Sequence, residues 1–145
     1  MKTILVPLDF SDSSKGVLAT AIKFAQALHT TLTLLHVVQP IVATGDSMLD
    51  AAQLTEAQKA AEEFGHMQLK KIRQRLAARG LAVKTDLRTG MPSTIILDRA
   101  RSLPATLVVM GSHGHTAFYD LLLGSTSHAV LKNAPCPVLI VPSKK

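Results

Sequence analysis

Between Gly111 and Ser127 the sequence reads GSHGHTAFYDLLLGSTS, and three glycines punctuate it: Gly111, two residues, Gly114, nine residues, Gly124, then Ser125-Thr126-Ser127. Gly111 and Gly114 permit backbone conformations closed to other residues and remove side chains that would hold a ligand away. If a helix starts at Ser125, three hydroxyls join the free N–H groups and positive dipole end of its first turn, which together make an anion site. A phosphate chain is the natural guest. An ordinary strand-to-helix connection takes about two to six residues, so this one is several times longer than a fold requires. Phe118, Tyr119 and Leu121-Leu122-Leu123 make its middle too apolar for a disordered linker. A strand-end glycine and a helix-cap glycine are each common alone, but that reading leaves the long arm and the hydroxyls unexplained.

The spacing is not a Walker A loop, which needs four residues between its glycines and a lysine directly after the second, where Ser125 follows Gly124 here. Nor is it the GxGxxG dinucleotide fingerprint, because the first apolar run is followed by Pro7-Leu8-Asp9 without a glycine. A ligand held this way lacks the phosphate-clamping lysine of many hydrolytic NTPases. Asp9 supplies a carboxylate that can accept hydrogen bonds from ribose hydroxyls; the alternative is a cap on the next helix, a task that Ser11, Asp12 or Ser13 could do instead. Backbone groups near Val37 and Val38 can read an adenine edge while their side chains pack on the ring.

These residues need elements to position them. Thr3-Ile4-Leu5-Val6 is a short apolar run ended by Pro7 and reads as a buried strand. Val17, Ala21, Phe24 and Leu28 then form a helical stripe. Leu32 to Val38 is a second strand, and Ile41 to about Leu54 reads as a mobile connection. A long helix follows with Ala61, Gly65, Leu69, Ile72 and Leu76 on one face and Gly80 as its stop signal. Leu81 to Leu87 reads as a third strand, and Pro92 opens a helix through Ile95, Ile96 and Ala100. Leu107 to Met110 is a fourth strand, Ser125 to about Lys132 a fourth helix, and Val138 to Val141 a fifth strand. The βαβαβαβαβ alternation implies one α/β domain spanning residues 1–145, with a mostly parallel sheet and helices on both faces. Open sheets of this kind bind ligands beyond the carboxyl ends of their strands, where the strand order reverses. If the first and fourth strands are neighbours, as a 3-2-1-4-5 order requires, the connections after them flank one crevice.

The composition bounds the rest. At 145 residues, 47% apolar but only 3% aromatic, the chain can bury an aliphatic core without metal or disulfide. The single cysteine, Cys136, fits a reducing compartment. No segment approaches the roughly 18 apolar residues of a membrane span, and the N-terminal run is too short for a signal peptide; the expectation is a cytoplasmic protein. Much of the basic excess behind the net charge of +6 lies between Lys59 and Arg79, as Lys70, Lys71, Arg73 and Arg75 of the long helix. A solvated helix face accounts for them, and nucleic acid is not the expected partner: base-stacking aromatics are limited to Phe64. His113 and His115 lack the further ligands a zinc site needs. His36 reads as a satisfied structural residue, and Cys136, between prolines, as a buried small side chain.

The Gly111-x2-Gly114-x9-Gly124-Ser125 spacing resembles the nucleotide-binding signature of the universal stress protein family. So do Val6-Pro7-Leu8-Asp9-Phe10-Ser11, Leu35-His36-Val37-Val38 and Ala134-Pro135-Cys136-Pro137-Val138-Leu139-Ile140-Val141, and the resemblance covers essentially the whole chain. It implies a five-stranded Rossmann-like fold of order 3-2-1-4-5, the ATP-binding branch of the family, and a homodimer through the last strand, 138–141. It places adenine near Pro7, Leu8, Val37 or Val38, and Met110, and ribose near Asp9 and Gly111. The phosphates fall among His113, Gly114, Gly124, Ser125, Thr126 and Ser127, with Mg²⁺ or Mn²⁺. Thr106 departs from the pattern, since relatives often carry Asp there, and it sits at the far end of its strand from the ligand. Three functions follow: a nucleotide-binding regulatory module (the first choice), a slow ATPase or self-phosphorylating enzyme, and a scaffold without nucleotide. ATP, ADP and AMP all suit a phosphate site at a helix end.

Overall fold

The apolar runs pair into one parallel sheet, which the computed structural model shows with residues 2–46, 48–112 and 123–143 described. Its strands are β1 (Thr3–Pro7), β2 (Thr31–Val38), β3 (Val83–Thr89), β4 (Leu107–Gly111) and β5 (Val138–Val141). They alternate with α1 (Ser14–Leu28), α2 (Ala51–Ala77), α3 (Pro92–Ser102) and α4 (Ser125–Asn133). The sheet order is β3-β2-β1-β4-β5, the order set out above, and every neighbouring pair is parallel. None of the described helices is long and apolar enough to cross a membrane.

Alternation along the strands divides the core in two. Ile4, Val6, Leu32, Leu34 and Val109 face α1 and α2, where Val17, Ala21, Leu69 and Leu76 meet them. Leu5, Leu35, Val108 and Met110 face α3 and α4, where Ile96, Ala100 and Val130 meet them. Strands buried on both faces carry continuous apolar runs, which is why β1, β2 and β4 read as they do. The edge strand β3 is more exposed, and there the polar Lys84, Thr85, Arg88 and Thr89 are interleaved.

Three local features refine the sequence reading, and the Gly80 stop is as expected. Residues 51–54 belong to α2: Asp50 accepts from the Gln53 amide at 2.8 Å while the Gln53 side chain accepts from the Asp50 amide at 2.9 Å. This reciprocal pair satisfies two donors at the helix start and extends the helix into the stretch assigned above to a mobile connection. At the other end of α2, Gly80 takes a positive φ of 83°. Its amide donates to the Ala77 carbonyl and the Leu81 amide to that of Leu76, the pairing that closes a helix on a left-handed residue. The N-cap of α1 is Ser13, whose hydroxyl pairs with Ser11 Oγ at 2.8 Å rather than capping the backbone.

Candidate functional site

The β1–β4 seam opens early, and a proline is the reason. Pairing runs only through Ile4–Leu107 and Leu5–Val108. In a parallel ladder the N–H and C=O of one residue point to the same neighbour, and successive residues alternate between neighbours. The Leu8 amide donates to Leu35 of β2 at 2.8 Å, so Leu8 faces β2 and Pro7 faces β4. Pro7 has no N–H to continue that ladder. Beyond Leu5–Val108 the two strands are no longer paired, at the switch point where the chain order reverses.

The same alternation identifies which peptide groups face the opening. The Val38 carbonyl accepts from the Gly90 amide, on the β3 side. The peptide groups of Val37 therefore point to the β1 side, past the end of β1, and no described residue bonds to them. Val37 is half-buried and Val38 buried. On β4, the Ser112 amide donates to the Val141 carbonyl at 3.1 Å, which turns Gly111 toward β1. Met110 lies buried among the residues packed under α3 and α4. Gly111 ends a strand in register with Val141 and does not take a positive φ, so no special backbone conformation accounts for a glycine there.

The start of α4 is tied down from below. Gly124 is its N-cap, in extended conformation, and donates from its amide to the Ser112 carbonyl at 2.8 Å. Ser127, only 3% exposed, donates its hydroxyl to the carbonyls of Gly111 at 2.8 Å and Ser112 at 3.1 Å. Its one hydroxyl hydrogen is engaged within the protein, so Ser127 fixes the helix start to β4 and is no longer a hydroxyl donor to phosphate. Ser125 is exposed and Thr126 half-buried. The amides of Ser125, Thr126 and Ser127 precede the first i→i−4 bond, donated by His128 to Gly124, as at every helix start. Ser112 is the residue that the sequence reasoning missed: it joins β4, β5 and α4 through backbone groups, which no residue type announces.

Asp9 follows β1 and organises the turn into α1. Its Oδ1 accepts from the Ser11 amide at 3.0 Å, the Ser11 hydroxyl at 2.6 Å and the Ser14 hydroxyl at 3.0 Å. These bonds fix the orientation of the carboxyl group. Phe10, next along, holds a positive φ of 60°, unusual for a bulky residue. His36 sits across from it, as a hydrogen-bonded structural side chain.

His113 and Gly114 lie outside the described residues, as does the arm from 115 to 122. The described residues contain no group of three His, Cys, Asp or Glu placed to hold a metal ion. Thr106 donates its hydroxyl to the Thr3 carbonyl at 3.1 Å, at the amino-terminal end of the sheet. Lys70, Lys71, Arg73 and Arg75 are all exposed. Cys136 is half-buried, and desolvation pushes its thiol above the usual pKa.

An open parallel sheet whose chain order reverses between β1 and β4 defines the doubly wound class of α/β domain. The chain matches the Universal stress protein family over residues 1–142 and belongs to that family. It is 32% identical over 144 residues to universal stress protein MJ0531 of Methanocaldococcus jannaschii, covering 99% of this chain and 84% of that one. Among solved structures, the universal stress protein UspA from Lactobacillus plantarum superimposes with a TM-score of 0.85 at 28% identity, over 97% of each chain. A universal stress protein in complex with cAMP superimposes with a TM-score of 0.68 at 25% identity, over 99% of this chain and 98% of that one.

Proposed function

We propose that the protein is an adenine-nucleotide-binding regulatory module, with ATP as the first candidate ligand and ADP or AMP as alternatives. The observation that carries this reading is the Val37 peptide, turned without a described partner into the gap that Pro7 opens. A backbone N–H and C=O side by side offer one donor and one acceptor, the complement of an adenine edge. Leu8, Val38 and Met110 are buried around the same strand ends and give the ring an apolar seat. Asp9 and Gly111 would meet the ribose. The phosphates would lie on the first-turn amides of α4, with Gly124, Ser125, Thr126, His113 and Gly114 beside them and Ser127 holding the helix in place. A Mg²⁺ or Mn²⁺ ion would be carried by the phosphates rather than by a protein cage. The cAMP bound by the relative at 25% identity supports an adenine nucleotide as the ligand class.

Calorimetric titration of ATP, ADP and AMP tests the reading. Gly114→Val should place a side chain against the phosphates and abolish ATP binding while circular dichroism shows a folded domain. Unchanged affinity in that variant refutes the placement of the phosphates, and no binding by the unaltered protein refutes the function.

The same reading includes a homodimer. Val138, Leu139, Ile140 and Val141 form an edge strand and are all only half-buried, and apolar edges of this kind are ordinarily covered. Sedimentation at micromolar concentration should give a dimer, and a monomer rejects pairing through β5.

A further inference from the structure

Leu8 and Val37 should be joined by one more bond. In the register that pairs Pro7 with Leu35, the donation of the Leu8 amide to Leu35 is followed by donation of the Val37 amide to the Leu8 carbonyl. Among the described residues that bond is not made. The Leu8 carbonyl instead has His36 Nδ1 at 2.7 Å. A carbonyl only accepts, so Nδ1 carries the proton and donates.

The imidazole lies between Phe10 and α2. Phe10, turned by its positive φ of 60°, lays its ring 4.3 Å from that of His36 at an interplanar angle of 33°. Phe64 of α2 meets Phe10 edge-on at 6.3 Å. Gly65 of α2 leaves room on the remaining side: a Cβ there would stand 2.9 Å from His36 Cδ2. A β-strand histidine is thereby fitted between a helix glycine and a strained aromatic.

We propose that His36 is a positioning residue that ends the β1–β2 ladder one step early, so that the Val37 peptide is left for the ligand. By engaging the Leu8 carbonyl through its side chain, His36 replaces the backbone donor that would otherwise close the seam. The consequence for binding rests on the adenine-nucleotide reading above; the consequence for the backbone does not.

Two measurements separate them. Amide exchange of Val37 in ligand-free protein, followed by NMR, is expected to be fast in the unaltered protein. In His36→Leu, with the Leu8 carbonyl released, the Val37 amide joins the ladder and exchange slows by about tenfold. In His36→Asn, whose amide can donate to Leu8 as Nδ1 does, exchange stays fast. AMP affinity is expected to fall by about tenfold in His36→Leu and to recover in His36→Asn, a rescue that lost packing alone would not produce. Equal Val37 exchange in all three proteins overturns the proposal, as does undiminished AMP binding by His36→Leu. If the unaltered protein binds no adenine nucleotide, the proposed function falls while the exchange comparison still decides the role of His36. Should His36→Leu fail to fold, Gly65→Ala presses on the same ring and is expected to slow Val37 exchange; unchanged exchange there also overturns it.

Discussion

Gly65→Ala and Gly16→Ala make the same chemical change in two helices and should move stability in opposite directions. Replacing glycine by alanine inside a helix stabilises it by about 1 kcal/mol, because the unfolded chain loses more freedom with glycine. At Gly16 in the first turn of α1 the new Cβ meets only Val141 Cγ1, at an ordinary 3.8 Å. Near a helix end the gain should be about half the interior value, roughly 0.5 kcal/mol. At Gly65 the new Cβ stands 2.6 Å from Leu87 Cδ1 and 2.9 Å from His36 Cδ2. Overpacking of this kind costs about 1–3 kcal/mol. The Leu87 methyl is the end of a flexible, half-buried side chain and can swing away. The His36 ring cannot do so cheaply, since it is hydrogen-bonded to Leu8 and packed at a tilt against Phe10. Taking about 2 kcal/mol for the clash against about 1 kcal/mol for the helix leaves Gly65→Ala less stable by about 1 kcal/mol. The gap between the variants is then about 1.5 kcal/mol, about tenfold in the folding equilibrium. Urea unfolding of both ligand-free variants, with equal m-values, measures it. If Gly65→Ala proves as stable as Gly16→Ala, the packing of His36 beneath α2 is not as described.

Two further outcomes follow from the site. Ser127→Ala removes the hydroxyl bonds to Gly111 and Ser112 from a buried position, and urea unfolding should show a loss of about 1–2 kcal/mol; an unchanged midpoint would mean the helix start is held otherwise. Cys136, its thiol pKa raised by burial, should be alkylated at pH 8 more slowly in the folded chain than in urea. The linkage has a definite sign: with the folded pKa above the unfolded one, the contribution to stability is present below the ordinary thiol range and is lost as pH rises through the folded value. Equal alkylation rates in the two states would contradict the burial.

The architecture was legible where pattern carries the physics. Ile4 to Val6, Leu32 to Val38 and Leu107 to Met110 are apolar on both faces because helices cover both faces, and their alternation with amphipathic stripes leads to the 3-2-1-4-5 sheet and its switch point. The start of α2 is written in the sequence as well, since Asp50 and Gln53 stand at the spacing of a reciprocal cap, but they fall within a stretch whose apolar pattern is weak. The interior of the site was less open to reading. Ser127 lies in a run of three hydroxyls whose types are interchangeable on paper, and only the fold decides that its hydrogen goes to Gly111 and Ser112 while Ser125 stays exposed. By type and place Asp9 suits either a ribose contact or a cap, and its carboxyl group gathers the turn through Ser11 and Ser14. The role of Pro7 depends on which neighbour its missing N–H would have faced, a matter of register that no single residue encodes.

Ser112 has a mechanical meaning beyond local satisfaction. Its amide grips the last residue of the outermost strand, and its carbonyl receives both Gly124 and Ser127 at the mouth of the crevice. A body that clasps the outer rim and an anion that settles on the helix would therefore pull on one shared strut. Whatever influence the first event exerts on the second must be returned in equal measure, since thermodynamic linkage between two binding events is symmetric.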